Sequence, residues 1–97
     1  MDDGLDINRE DRATGGVYRL ARDGGVAEMT FSRAGSSMII IDHTEVPEAL
    51  RGRGIGDALV ARAVADAREA GIKIVPLCPF AAAQFRKHPE FADVLSR

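Results

Sequence analysis

The sequence predicts a mixed α/β (α+β) domain: an antiparallel β-meander, then a parallel β-α-β crossover, then short C-terminal helices. Three observations predict it. Apolar residues alternate in short runs separated by Gly-rich turns between residues 17 and 46. One stretch, Gly56 to Ala70, carries its apolar residues at helical spacing and lies between two apolar runs. Beyond residue 78, prolines punctuate short segments with helical spacing.

Length and composition bound the answer. The chain has 97 residues, so one domain is expected, with a limited core. Thirteen basic residues face fifteen acidic ones, for a net charge of −2. That balance argues against a nucleic-acid binder working through overall charge. Basic residues at 51, 53, 62, 86 and 87 have no interleaved aromatic residues, so base-stacking platforms are missing as well. A single cysteine rules out an internal disulfide, and no apolar run approaches a membrane span. One Cys and two distant His give no metal-site spacing. The acidic start, Met1-Asp2-Asp3-Gly4, lacks a signal-peptide core. The expectation is a soluble cytoplasmic protein, a monomer or weak homodimer.

Residues 1–16 are polar, with Leu5 and Ile7 permitting a short edge strand, and residues 17–97 form the domain proper. Val17 to Arg22 reads as a strand, Asp23-Gly24-Gly25 as a hairpin turn, and Val26 to Arg33 as the returning strand. In the latter, Ala27, Met29 and Phe31 share the face expected to be buried. Met38 to Val46 is a long strand whose consecutive isoleucines suggest burial on both faces. Pro47 ends it. The helix Gly56 to Ala70 stacks Leu59, Ala63 and Ala67 beside Val60 and Val64, and Gly71 is its expected stop. Ile72 to Cys78 reads as a strand parallel to Met38–Val46, with Pro76 removing one ladder donor. Pro79 to Lys87 is a short helix, His88-Pro89 breaks it, and Glu90 to Leu95 is a last helical turn.

The functional signal lies between the long strand and the long helix. Arg51-Gly52-Arg53-Gly54-Ile55-Gly56 is a glycine-rich loop that opens a helix. Helix N-terminal N–H groups lack intrahelical partners and carry partial positive charge, and guanidinium binds phosphate in a fixed fork. Together they make an anion site, best suited to a phosphate or pyrophosphate. The spacing is not that of a P-loop, and Asp57 stands where a dinucleotide fingerprint needs its third glycine. A glycine-rich turn with solvated arginines is the alternative.

Arg51-x-x-Gly54-x-Gly56 resembles the [Q/R]-x-x-G-x-[G/A] signature of the GNAT N-acetyltransferase superfamily. Nearly all of residues 17–95 follows a minimal GNAT order, without the superfamily's usual helices after the first strand. The nearest likeness is to the small GNAT-like family of bacterial YjdJ-type and plant and animal NATD-type proteins. His43-Thr44-Glu45-Val46-Pro47, the Arg51–Gly56 loop, Pro76-Leu77-Cys78-Pro79-Phe80 and His88-Pro89-Glu90-Phe91-Ala92 carry it. The resemblance implies an acetyl-CoA-dependent N-acetyltransferase with a small-molecule or protein amine as acceptor. It also implies that the two central parallel strands splay apart. The backbone of Thr44 to Val46 would then hold the pantetheine arm, and residues Arg51, Gly52, Arg53, Gly54, Ile55 and Gly56 the pyrophosphate, with Arg86 and Lys87 near the cofactor.

The chemistry departs from the superfamily's pattern. Phe85 stands where a general-acid tyrosine would be, and the one tyrosine, Tyr18, is far upstream. Cys78, at the end of the second parallel strand, is the replacement candidate. It could protonate the leaving thiolate or take the acetyl group covalently, and a small buried hydrophobe is the alternative. His43 is a candidate base for the amine or a structural histidine. Glu45 is a candidate base or a solvated edge residue. A non-enzymatic acyl-CoA-binding or sensing module is the rival function.

Overall fold

A computed structural model describes residues 7–96. Its centre is a five-stranded sheet in the order β1-β2-β3-β4-β5, with every strand beside its neighbour in sequence. β1 is Ile7–Arg12, β2 Gly15–Arg22, β3 Gly25–Ala34, β4 Met38–Glu45 and β5 Lys73–Pro76. The first four are antiparallel and β5 runs parallel to β4. The sixteen-residue helix α1, Ile55–Ala70, links them. Helix α2, Pro79–Lys87, follows, then a 3₁₀ helix at Pro89–Val94. Among the described residues no helix is long and apolar enough to cross a membrane.

The alternation along each strand selects the covered face. Tyr18, Leu20, Ala27, Met29, Phe31, Ile39 and Ile41 are all buried, as the cross-strand pairs Tyr18–Met29, Leu20–Ala27 and Phe31–Ile41 require. They form one core with Leu59, Val60, Ala63, Val64 and Ala67 of α1 and with Ala81 and Phe85 of α2. Burying side chains of this size contributes roughly 1.5–3 kcal/mol each. Alanine at buried positions 63 and 67 and half-buried position 58 keeps the helix close to the sheet, because the methyl is the smallest side chain that still packs. The core also holds one buried polar side chain, Gln84, whose Oε1 has no partner among the described residues.

The polar N-terminal stretch supplies β1, the edge strand that its sequence permits, which pairs with β2 from Ile7–Leu20 through Arg12–Gly15. Leu5 lies outside the described residues. Four of the six residues of β1 are charged, which suits a solvated edge strand. β4 is not buried on both faces: Ile39 and Ile41 are covered, while Ile40 is half-buried. The reason is that both helices contribute to a core on one side of the sheet, and Ile40 points to the opposite side. The strand expected over Ile72–Cys78 is shorter, Lys73–Pro76. Pro76 is the last residue of the ladder because it brings no N–H to continue it. At the far edge of β5, Leu95 bridges to Ile74 and the Ser96 N–H donates to the Ile74 carbonyl at 2.9 Å.

One polar cluster ties the edge strand to the helix. The Tyr18 hydroxyl donates to Asp66 Oδ2 at 2.8 Å, and Arg9 donates to the same oxygen at 3.0 Å and to the Tyr18 oxygen at 3.2 Å. Arg62 adds Nε at 3.2 Å to Asp66. The Arg9 guanidinium also lies 5.5 Å from the Tyr18 ring centre and 5.4 Å from that of Phe31. Burial raises the Tyr18 phenol well above its ordinary value, and the neighbouring carboxylate adds to this. For Asp66 burial pulls upward too, but the Tyr18 hydroxyl and the two guanidiniums outweigh it and hold the carboxyl below the usual range.

A lowered folded-state pKa means stability that is present above the unfolded value, about 3.9 for Asp, and lost as pH falls through the folded one. Asp66→Asn is therefore expected to lower the melting temperature at pH 7 and to flatten its decline below about pH 4, measured by thermal unfolding across pH. An acid limb as steep as in the unsubstituted protein would disprove the role of this carboxylate.

Candidate acyl-transfer site

The site begins where β4 and β5 part. Their parallel ladder runs from Met38–Lys73 to Ile41–Pro76 and stops. The Leu77 and Cys78 N–H groups both donate to the Ile41 carbonyl, each at 3.1 Å. Beyond that point β4 continues to Glu45, paired only with β3. Its other edge, from Asp42 on, has no ladder partner among the described residues.

A bulge decides what this free stretch presents. Thr30 pairs with His43 and Phe31 with Ile41, so Asp42 is an extra residue on β4. Without it, His43 would fall on the buried face two residues after Ile41. With it, His43 and Glu45 are exposed on the open face, and Thr44, opposite the buried Met29, points to the core side. Ser32 Oγ donates to the Asp42 carboxylate at 2.6 Å.

Next comes the loop. Glu48–Leu50 forms a 3₁₀ turn anchored by the buried Leu50. Gly52 and Gly54 both have positive φ, 80° and 73°, which a side chain would strain. Gly54 is the N-cap of α1, and no side chain caps the helix there. The first-turn amides of α1 therefore face outward without a side-chain partner. A Cβ at position 52 or 54 would meet nothing within 4 Å, so open space adjoins the backbone. Gly56 differs. A Cβ there would lie 2.5 Å from the Phe80 ring, so this glycine makes room for an aromatic side chain of α2.

Two hollows join along this path. One, of about 460 Å³, is lined by His43, Thr44, Glu45, Val46, Arg51 and Phe80. The other, of about 340 Å³, runs over Gly52, Gly54, Ile55, Gly56 and Asp57. They share Val46, Arg51 and Phe80, and so form one cleft from the free edge of β4 to the start of α1. Arg51 bridges it by donating Nε to the Val46 carbonyl at 3.0 Å. Arg53 is turned away and pairs with Asp23 of the β2–β3 hairpin.

The remaining expected residues lie around the cleft. Cys78 is buried, and its Sγ accepts from the Ala81 N–H at 3.4 Å, capping α2, while lying 3.4 Å from Thr44 Oγ1. It lines neither hollow. Arg86 and Lys87 are exposed at the end of α2, with Lys87 Nζ 3.7 Å from Asp57. Phe85 packs edge-on against Phe91 at 5.8 Å, and the Tyr18 hydroxyl is bound to Asp66. Among the described residues no cluster of His, Cys, Asp and Glu could hold a metal ion. Sequence reasoning missed Phe80 as a wall of the cleft. The signal was Gly56 in the first turn of a helix, a costly residue that marks a close approach.

A model of the GCN5-related N-acetyltransferase family matches residues 17–94. The chain belongs to that family. The fold is similar to the NMR solution structure of a GCN5-like protein from Staphylococcus aureus, a candidate N-acetyltransferase. The TM-score is 0.73 at 29% identity, over 95% of this chain and 90% of that one. No curated protein matches the chain. The GCN5-related assignment carries with it the mixed sheet and acetyl transfer as the general chemistry.

Two glycine substitutions separate the roles inside the loop. Helix propensity alone favours Gly56→Ala by about 1 kcal/mol. The Phe80 contact reverses the sign, and a loss of about 1–3 kcal/mol is expected from overpacking. Gly54→Ala is expected to cost about 1–2 kcal/mol through its left-handed backbone. Chemical denaturation of both variants measures this, and a stabilised Gly56→Ala would refute the packing argument.

Proposed function

We propose that this chain is an acetyl-CoA-dependent N-acetyltransferase acting by direct transfer to an amine of a small molecule or protein. The observation that carries the reading is the single cleft joining the unpaired edge of β4 to the uncapped, glycine-framed start of α1. Coenzyme A fits the residues present. Open space beside the backbone of Gly52 and Gly54 leaves room for a pyrophosphate against the first-turn amides. Arg51 is placed to add a guanidinium there, and its bond to the Val46 carbonyl must open for a pantetheine amide to use that carbonyl. The free backbone of Thr44 to Val46 would align the arm as an added strand does. When bound, acetyl-CoA supplies a thioester carbonyl as acyl donor.

The chain's own residues divide the work. His43 and Glu45 border the cleft on the open side of the sheet, where an acceptor amine can reach it. Either is suited to take the proton that an attacking ammonium must shed. Thr44 and Cys78 form a pair on the core side at 3.4 Å. Burial and the capping bond to Ala81 N–H favour Cys78 as a positioning residue over a covalent carrier. Arg53, tied to Asp23, contributes its backbone to the loop.

A second reading, an acyl-CoA-binding module without efficient turnover, is favoured by one observation. Neither hollow is lined by a tyrosine or cysteine that could give a leaving thiolate its proton.

The experiment pairs calorimetry with intact mass spectrometry. Wild type is expected to bind coenzyme A, to acetylate members of an amine panel, and to carry no acetyl mass on itself. Cys78→Ser should keep turnover within about tenfold, while Glu45→Gln with His43→Gln should lower kcat by roughly 10²-fold or more at little change in KM for acetyl-CoA. An acetyl adduct lost in the Cys78 variant would replace direct transfer with a covalent route. Binding without turnover on any amine would favour the module.

A further inference from the structure

Two glycines with positive φ, Gly52 at 80° and Gly54 at 73°, leave the loop before α1 with many backbone conformations to choose from. The amides of Gly52, Arg53 and Gly54 donate to no backbone carbonyl among the described residues. Arg53 is the one side chain between the two glycines. It lines neither hollow of the cleft, whereas Arg51 lines both. The two arginines of the loop therefore face different ways, and only one of them faces a ligand.

What Arg53 meets is built to hold it. Its guanidinium pairs with the carboxylate of Asp23, at the tip of the β2–β3 hairpin. Asp23 and Gly24 are the two residues inside the pair Arg22–Gly25, and both have positive φ, 51° and 82°. That is the signature of the tight I′ turn, whose shape follows the twist of its strands and leaves the tip little freedom. The base of the hairpin is seated as well. A Cβ on Gly25 would lie 3.3 Å from the side chain of the buried Leu50 and 3.6 Å from that of Pro47. Pro47 and Leu50 belong to the 3₁₀ turn that leads into the loop. The hairpin thus touches the root of the loop by packing and its middle by the Arg53–Asp23 pair.

Direct electrostatics gives this carboxylate no place here. An acid beside an anion-binding loop repels the ligand and occupies an arginine that could bind it. Preorganisation gives it one. A loop held in its bound shape before the ligand arrives loses less entropy when the ligand binds.

We propose that Asp23 is a positioning residue for the anion-binding loop: it holds Arg53 outward, and through Arg53 keeps the backbone of Gly52 and Gly54 in place along the cleft. The inference rests on the coenzyme A reading above and extends that site to a hairpin tip that lines neither hollow.

Calorimetry with coenzyme A and with inorganic pyrophosphate tests it, on wild type, Asp23→Gly, Asp23→Asn, Arg53→Ala and the variant joining Asp23→Gly with Arg53→Ala. Glycine and asparagine both accept the left-handed turn, so the hairpin survives either change. Asp23→Gly is expected to weaken both probes by about threefold to tenfold, although it removes a negative charge and frees an arginine. Asp23→Asn should fall between it and wild type, since its amide oxygen still accepts from Arg53 but without charge. In the Arg53→Ala background, Asp23→Gly should cause no further loss. The free Asp23→Gly protein should show lower backbone order at Gly52 and Gly54 by NMR relaxation, recovered with coenzyme A bound. Coenzyme A affinity that is unchanged or tighter in Asp23→Gly overturns the proposal and spares the cofactor reading. So does a loss of equal size in the Arg53→Ala background. Failure of wild type to bind coenzyme A overturns the cofactor reading, and the positioning role falls with it.

Discussion

A single proline sets the architecture of the site. Pro76 can accept from a neighbouring strand but cannot donate, so the parallel ladder has to end with it. The two amides that follow, those of Leu77 and Cys78, both turn to the carbonyl of Ile41. That convergence closes the last paired position and frees the rest of β4. From it follow the direction in which α2 leaves the sheet, the placing of Cys78 as its cap, and the contact of Cys78 with Thr44. The bulge at Asp42 completes the arrangement by turning Thr44 inward and His43 and Glu45 outward. A missing hydrogen at Pro76 and an added residue at Asp42, next to the ladder partner Ile41 but distant from Pro76 in sequence, thus open the cleft and choose its lining.

The scaffold that holds this cleft is thin. One sheet face is covered by two helices and the other faces solvent, so the core has a single layer of contacts to draw on. The cluster of Tyr18, Asp66, Arg9 and Arg62 reinforces it where hydrophobic packing gives out, at the edge between β1 and α1. The buried phenol both donates to Asp66 and accepts from Arg9 there, which makes the chain's one tyrosine structural. The Gly56–Phe80 contact does similar work at the opposite end, locking the start of α1 to the start of α2.

The sequence made much of this legible. The long helix was readable to within one residue at its start, because the Leu59–Ala67 stripe and Gly71 are local signals. The short helix Pro79–Lys87 was marked at both ends by proline and by His88-Pro89. The loop was readable because its glycines, arginines and helix start lie within six residues. Other features depend on partners distant in the chain. The bulge appears only when Thr30 and Phe31 are set against β4. The diversion of Arg53 requires Asp23, thirty positions earlier. Arg9 and Asp66 are 57 residues apart. β1 was readable only as a permitted edge strand and not in its extent, since Ile7 is its one apolar residue. Half-burial of Ile40 was unreadable because three isoleucines in a row look the same whether one or two layers cover them.

The strand order β1-β2-β3-β4-β5 has a consequence for how the chain reaches its structure. Each of the first three pairings joins segments linked by a short turn, so little loop entropy opposes it and the meander can zip from hairpin to hairpin. The fourth pairing must wait for a whole helix to form and swing over. It is also the one that ends early, at four residue pairs. The proposed working parts of the molecule thus gather at the contact that forms last and is held by the fewest bonds. In exchange terms, the amides of β5 and α2 are expected to form the cooperative unit that opens first, and a molecule bound across Thr44 and Gly54 would close it. Ligand capture and the final act of folding would then be the same event.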